Sequence, residues 1–174
     1  DLLSSPKIRA WESSGNGNWK AEVELESAGS TITNMTLKYS PFENRIVVVT
    51  RGIDANLDAY VCDGNCTVAS NWTREDNIAA VNTAATGQFD IDFETSTGDA
   101  ILVYNILNTT STGDLAYKIL PAGSTTWSGP LYIDDTSAVS DALFEWPLLA
   151  RDPISTSQEL VLIAHDTTNS DTHA

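Results

Sequence analysis

The feature that most limits this chain is that it repeats itself. Residues 34–49 align with 88–104, and both match 143–153 followed by 159–164. Each copy reads as a strand, a polar turn carrying an acidic residue, and a strongly apolar strand. A polar loop and a third strand follow, at 57–62 in one copy and 114–119 in the next, and a tryptophan closes each unit, Trp72 and Trp127. A period of about 55 residues belongs to blade-like or solenoid units, which bury their apolar faces only by stacking on neighbours.

Periodicity sets the element type. Segments 20–26, 36–39, 45–50, 59–62, 89–94, 100–104, 115–120, 131–134, 144–149 and 159–164 are short and rich in β-branched or aromatic residues. They are bounded by Gly, Asn, Asp, Ser or Pro, which is the pattern of strands and turns. No stretch carries a convincing helical period; the Ala-rich 76–85 comes nearest and reads as loop or a single turn. The expected fold is all-β, with antiparallel sheets in about three blade-like repeats, propeller-like or an open stack, and a β-sandwich as second choice. The chain reads as a single repeat domain over 1–174, with units at 20–72, 73–127 and 128–174.

The third copy breaks off near 173–174, where its third strand should begin. The missing piece stands at the other end: Lys7, Ile8, Arg9, Ala10 and Trp11, a turn at 15–17, and Trp19 have the spacing of a third strand, a turn and a closing tryptophan. The last unit is therefore expected to be completed by 5–19 of the same or a neighbouring chain. Closure within one chain would give three units, fewer than the roughly four to eight blades of closed propellers. Between chains the contact is head to tail and yields a filament if its rotation does not close.

At 174 residues the chain can build one sizeable core or a row of smaller units. Nine Lys and Arg against twenty-four Asp and Glu give a net charge of −15 and a pI near 4.1. That field repels phosphate backbones and anionic membrane surfaces, so no nucleic acid and no membrane insertion are expected. The acidic residues are spread thinly and read as a solvated surface. Abundant Ser and Thr, scarce Lys and a start at Asp1 point to an extracellular or cell-surface protein numbered after processing. Cys62 and Cys66 flank the tight-turn pair Asp63-Gly64, close enough for a disulfide. Two thiols, with His165 and His173 remote in sequence, are too few for a zinc site, and neither a metal nor a cofactor is expected.

Catalysis needs a nucleophile, a base or paired carboxylates held in a cleft. No Gly-x-Ser-x-Gly elbow occurs. His165 aligns with Arg51 and Asn105 and reads as an exposed strand end entering a loop. Asp90/Asp92 and Asp134/Asp135 could form a glycosidase pair or a Ca²⁺ site. Residues two apart on a strand share one face, so Asp90 and Asp92 are expected in solvent, opposite buried Ile91 and Phe93. The run 54–58 lacks the ligand density of an EF-hand loop. No catalytic residue is assigned, and the chain reads as a non-enzyme. Trp11, Trp19, Trp72, Trp127 and Trp146 suggest sugar stacking, but repeat-register aromatics more often pack sheets together. Asn34, Asn65, Asn71 and Asn108 open N-glycosylation sequons.

The phrase at 88–104, Gln-Phe-Asp-Ile-Asp-Phe-Glu followed by Gly98-Asp99-Ala100 and an apolar strand, resembles the repeat unit of bacterial surface proteins of uncertain function. Residues 60–64 are similar to the turn of that unit, with Cys62 where Trp is usual. The resemblance spans most of the chain. It implies β-propeller-like sheets and an extracellular location, carries no catalytic residue across and is silent on ligand. A weaker likeness, of 121–127 to the Asp-box turn of sialidases, lacks the aspartate, and the five arginines are too scattered for a carboxylate-binding cluster. The expectation is an extracellular structural subunit whose partners are copies of itself, joined through residues 7–11. The second reading is a carbohydrate-binding or adhesive module of a larger surface protein, with glycans as partners.

Overall fold

The computed structural model describes residues 4–12, 17–82, 88–106, 115–133, 144–154, 157–166 and 171–173. β1 (Lys7–Ile8) pairs with β4 (Val23–Glu24), and β2 (Trp11–Glu12) with β3 (Asn18–Trp19), so the N-terminal stretch is one two-stranded ribbon. Three sheets follow in chain order. The first is β5 (Ile32–Tyr39), β6 (Arg45–Gly52), β7 (Asn56–Asp63) and β8 (Trp72–Ala80). The second is β9 (Phe89–Phe93), β10 (Ala100–Asn105), β11 (Leu115–Leu120) and β12 (Leu131–Tyr132). The third is β13 (Phe144–Arg151), β14 (Leu160–Asp166) and β15 (Asp171–His173). Within these three sheets every pair is antiparallel and joins sequence neighbours, in line with the all-β, antiparallel expectation.

The sheets stack face to face. Val47 and Val49 of β6 and Leu57, Ala59 and Val61 of β7 meet Ile91, Phe93, Ala100, Leu102, Ala116 and Leu120 of the second sheet, with Trp127 from the connection between β11 and β12, in the main core. The other face of the second sheet, Val103 and Leu115, packs on Leu149, Ala164 and Leu162 of the third. The other face of the first, Val48, Ile46 and Tyr60, packs on Leu25, Ile8 and Val23 of the ribbon and its flank. A strand covered on both sides needs apolar residues in both phases of its alternation. That is why β6 runs Ile-Val-Val-Val rather than alternating with polar residues.

The turns repeat as well. The Ser40 hydroxyl accepts the N–H groups of Phe42 (3.3 Å) and Glu43 (3.2 Å) after β5. Glu94, the aligned residue after β9, accepts from the N–H groups of Ser96 (2.6 Å) and Thr97. In β13 the ladder is interrupted between Glu145 and Leu148, with Trp146 at φ 54° in the left-handed region and Pro147 beside it. A proline has no ladder donor to offer, and a bulge is where a strand tolerates one.

Several expectations need correction. Trp72 opens a fourth strand instead of closing a unit, so the first sheet ends at Ala80 and the second begins at Phe89, not at 72/73. Residues 76–80 belong to that strand, not to a loop; short apolar side chains hid a half-covered strand. The segment 20–26 supplies only Val23–Glu24 as strand. His165 lies inside β14, half-buried, facing Glu145 on one side and Thr172 on the other. The third strand of the last sheet has already begun, because β15 pairs Asp171, Thr172 and His173 with Asp166, His165 and Ala164.

Candidate functional site

The residues singled out for chemistry serve the architecture. Cys62 and Cys66 form the disulfide, 5.7 Å between Cα atoms, across a turn in which Gly64 takes φ +89°. The Cys66 carbonyl accepts the Trp72 indole N–H at 3.1 Å, so the bridge, the loop and the first residue of β8 form one unit.

Asp90 and Asp92 are not solvated: both are buried. Their carboxylates face β13, where Asp90 Oδ2 accepts the Leu149 N–H (2.9 Å) and Asp92 Oδ2 the Arg151 N–H (3.2 Å). Lys38 of β5 approaches Asp90 from the other side at 3.9 Å. The alternation put them opposite Ile91 and Phe93, correctly, but a third sheet occupies the space expected to be water. Two side chains two residues apart thus satisfy the unpaired N–H groups of a neighbouring edge strand.

Arg45, fully buried, donates from Nε to Asp63 (2.6 Å) and from Nη1 to the Pro121 carbonyl (3.1 Å), joining the first sheet to the loop after β11. Burial, the largest influence, raises the Asp58 pKa; the Asn77 N–H and Arg74 oppose it. Among the described residues no group of three or more His, Cys, Asp or Glu could hold a metal ion. Asp134 and Asp135 lie outside the described residues.

What remains is a set of bare apolar faces, and the repeat gives each an internal control. Met35, Leu37 and Tyr39 on β5 pair with Thr50, Val48 and Ile46, as Phe89, Ile91 and Phe93 on β9 pair with Tyr104, Leu102 and Ala100. The two trios hold equivalent places, facing the preceding sheet. Ile91 and Phe93 are fully buried, whereas Met35, Leu37 and Tyr39 are 60%, 51% and 53% exposed. The ribbon covers β6 and β7 but nothing described covers β5. The Trp11–Trp19 pair matches the Cys62–Trp72 pair in register, which makes the ribbon equivalent to the third and fourth strands of a sheet. Trp19 is 61% exposed, while Trp127, the tryptophan of the same place in the second sheet, is 6% exposed. Trp11 and Trp19 meet edge to face, 5.5 Å between centroids. At the far end of the stack Trp146, Leu148, Val161 and Ile163 stand exposed on the third sheet.

Two backbone edges accompany these faces. Among the described residues, nothing pairs with the edge of Lys7–Glu12 that faces away from β3 and β4. On β14, Ala164, His165 and Asp166 are paired to β15, but among the described residues Leu160 to Ile163 have a ladder partner on the β13 side alone. The tryptophans were expected as inter-sheet packing; Trp127 fits that expectation, and Trp11, Trp19 and Trp146 do not. Of the sequon residues, Asn34, Asn65 and Asn71 are exposed and Asn108 lies outside the described residues. Asn65 Oδ1 accepts the Thr67 hydroxyl at 2.7 Å, and Asn71 Nδ2 donates to the Asn65 carbonyl at 2.9 Å.

Comparison with protein-family models, with curated proteins and with solved structures finds no match for the chain. The class it defines rests on its own architecture: an all-β stack of antiparallel sheets with one disulfide. Among the described residues no helix is long and apolar enough to cross a membrane.

Proposed function

We propose that this protein is an extracellular structural subunit that assembles head to tail with copies of itself into a filament or surface layer. The observation that carries the reading is the difference between equivalent side chains: Phe89, Ile91 and Phe93 lie covered by a preceding sheet, and Met35, Leu37 and Tyr39 lie bare, with nothing among the described residues over them. The bare face of the third sheet, Leu148, Val161 and Ile163, is the face that would follow it in the stacking order. Among the described residues nothing fills the place beside β5 where the first two strands of a preceding sheet would lie; another copy presents two such strands, β13 and β14, with an open face. Apolar patches of this kind mark association surfaces more often than they stand idle. The disulfide agrees with an oxidising compartment, and the likeness of 88–104 to surface repeat proteins points the same way.

The test is the size of the 174-residue chain over a concentration series, by sedimentation velocity and electron microscopy. Oligomers that lengthen with concentration are expected. Leu37→Asp and Ile163→Asp should each leave monomers with an unchanged circular dichroism spectrum, because both sites are exposed in the single chain and a carboxylate there is costly only once covered. A wild-type chain that stays monomeric throughout, or an Ile163→Asp variant that assembles like wild type, would overturn the reading. Glycan binding by the monomer, lost on changing Trp19, would favour the adhesive alternative.

A further inference from the structure

The assembly just proposed needs a register, and the repeat supplies one. In the first sheet the second and third strands pair Thr50 with Asp58, Val49 with Ala59, Val48 with Tyr60, Val47 with Val61 and Ile46 with Cys62. In the ribbon Trp11 pairs with Trp19 as Cys62 pairs with Trp72, which sets residues 7–11 equivalent to 58–62. In the third sheet Arg151 faces Leu160 at the turn end, as Phe93 faces Ala100 and Tyr39 faces Ile46, which sets 160–164 equivalent to 46–50. Thr95 of the second sheet donates to the Ile154 and Ser157 carbonyls and so holds the two turns at the same level.

Resting on that reading, we propose that β14 is the acceptor strand for a second copy's ribbon, with Ile8 opposite Ile163, Arg9 opposite Leu162, Ala10 opposite Val161 and Trp11 opposite Leu160. We further propose that β15 holds part of that place until the ribbon displaces it.

The faces agree with this register. Side chains directly opposite on an antiparallel pair share a face of the sheet. Ile8 already packs on Val48 and Tyr60 of its own first sheet, and Ile163 is exposed on the face that would lie beside Met35, Leu37 and Tyr39. Ile8 with Ile163 and Ala10 with Val161 then form one apolar row, while a shift by a single residue would turn Val161 and Ile163 to the opposite side. Trp11 goes to the other face, toward β11 of the chain that supplies β14, the place that Leu120 and Trp127 hold in the second sheet against the first.

The same register explains why β15 must leave. Residues 5–7 of the ribbon fall opposite Ala164 to Asp166, which β15 occupies. Those ribbon residues are not free to bend away: the Pro6 carbonyl accepts the Leu25 N–H (2.9 Å) and the Ser4 carbonyl the Ala28 N–H (2.6 Å). β15 pairs three residues and the ribbon offers a longer edge backed by an apolar face, so the exchange favours the ribbon.

The experiment uses cysteines at positions paired in one state and apart in the other. His165→Cys with Thr172→Cys should lock β15 onto β14 when oxidised, since those residues face each other. The oxidised variant is expected to remain monomeric and the reduced one to assemble like wild type in the same reductant. Mixing Ile8→Cys chains with Ile163→Cys chains should yield a cross-linked dimer, whereas Ile8→Cys with Leu162→Cys should not. If wild type assembles but the locked form assembles equally fast, or the cross-link forms only in another register, this inference fails and the assembly reading stands. If wild type itself never assembles, the assembly reading fails first.

Discussion

At Glu94 one carboxylate organises a turn that joins two strands. Its burial acts to raise its pKa, but hydrogen bonds from the Thr97 hydroxyl and N–H and from Ser96 outweigh that effect and hold it below the ordinary carboxylate value. The sign of the linkage follows: a carboxyl with a depressed folded pKa contributes stability that is present above its unfolded pKa, about 4.3 for glutamate, and lost as pH falls through the folded value. Glu94→Gln should therefore melt lower than wild type at neutral pH, with the difference shrinking as pH drops below about 4; calorimetry across pH 2–7 checks this. Ser40 holds the aligned turn with a hydroxyl instead, so those two hydrogen bonds carry no carboxylate to protonate. This equivalence was legible in the sequence, because the repeat alignment sets Ser40 beside Glu94. The burial of Asp90 and Asp92 was not. Alternation tells which side of a strand a residue takes, and gives no sign of whether another sheet lies there.

The strands themselves were largely legible, since most apolar runs between turn residues became strands, and the Cys62–Cys66 bridge was readable from the Asp63-Gly64 turn pair that the cysteines flank. The ribbon was read only in part. Its spacing gave a third strand and a closing tryptophan, but Val23–Glu24 as the partner of Lys7–Ile8 depends on a change of register between Trp19 and Val23 that has no local signal. Between sheets, the joint is made by side chains reaching an edge: Asp90 and Asp92 take the N–H groups of Leu149 and Arg151. Removing one leaves a buried donor without an acceptor, a loss of about 1–3 kcal/mol. Asp90→Ala should destabilise by about that much and speed hydrogen exchange at the Leu149 amide above that at Val47, which lies in the core of the first sheet. Equal acceleration at both amides would mean that the third sheet does not open separately from the first two.

Across the whole molecule the charge works against any association. Copies carrying −15 each repel one another, and the repulsion is screened over about 8 Å at physiological ionic strength. Assembly through apolar faces should therefore strengthen with added sodium chloride; light scattering that falls as salt rises from 0.05 to 0.5 M, roughly a threefold change in screening length, would instead point to an interface built on ion pairs. Stacking order was the part of the architecture hardest to read from the chain, because sheets with two apolar faces can be piled in more than one order, and only the tertiary packing chooses. The position of the one covalent staple has its own corollary. Cys62 lies near the end of β7 and Cys66, four residues on, in the loop that follows it, so the bond encloses a small ring and fastens no layer to the next. Closing so short a ring removes little freedom from the unfolded chain. A change in redox surroundings should accordingly loosen the stretch from Asp63 to Trp72 and leave the layered body standing.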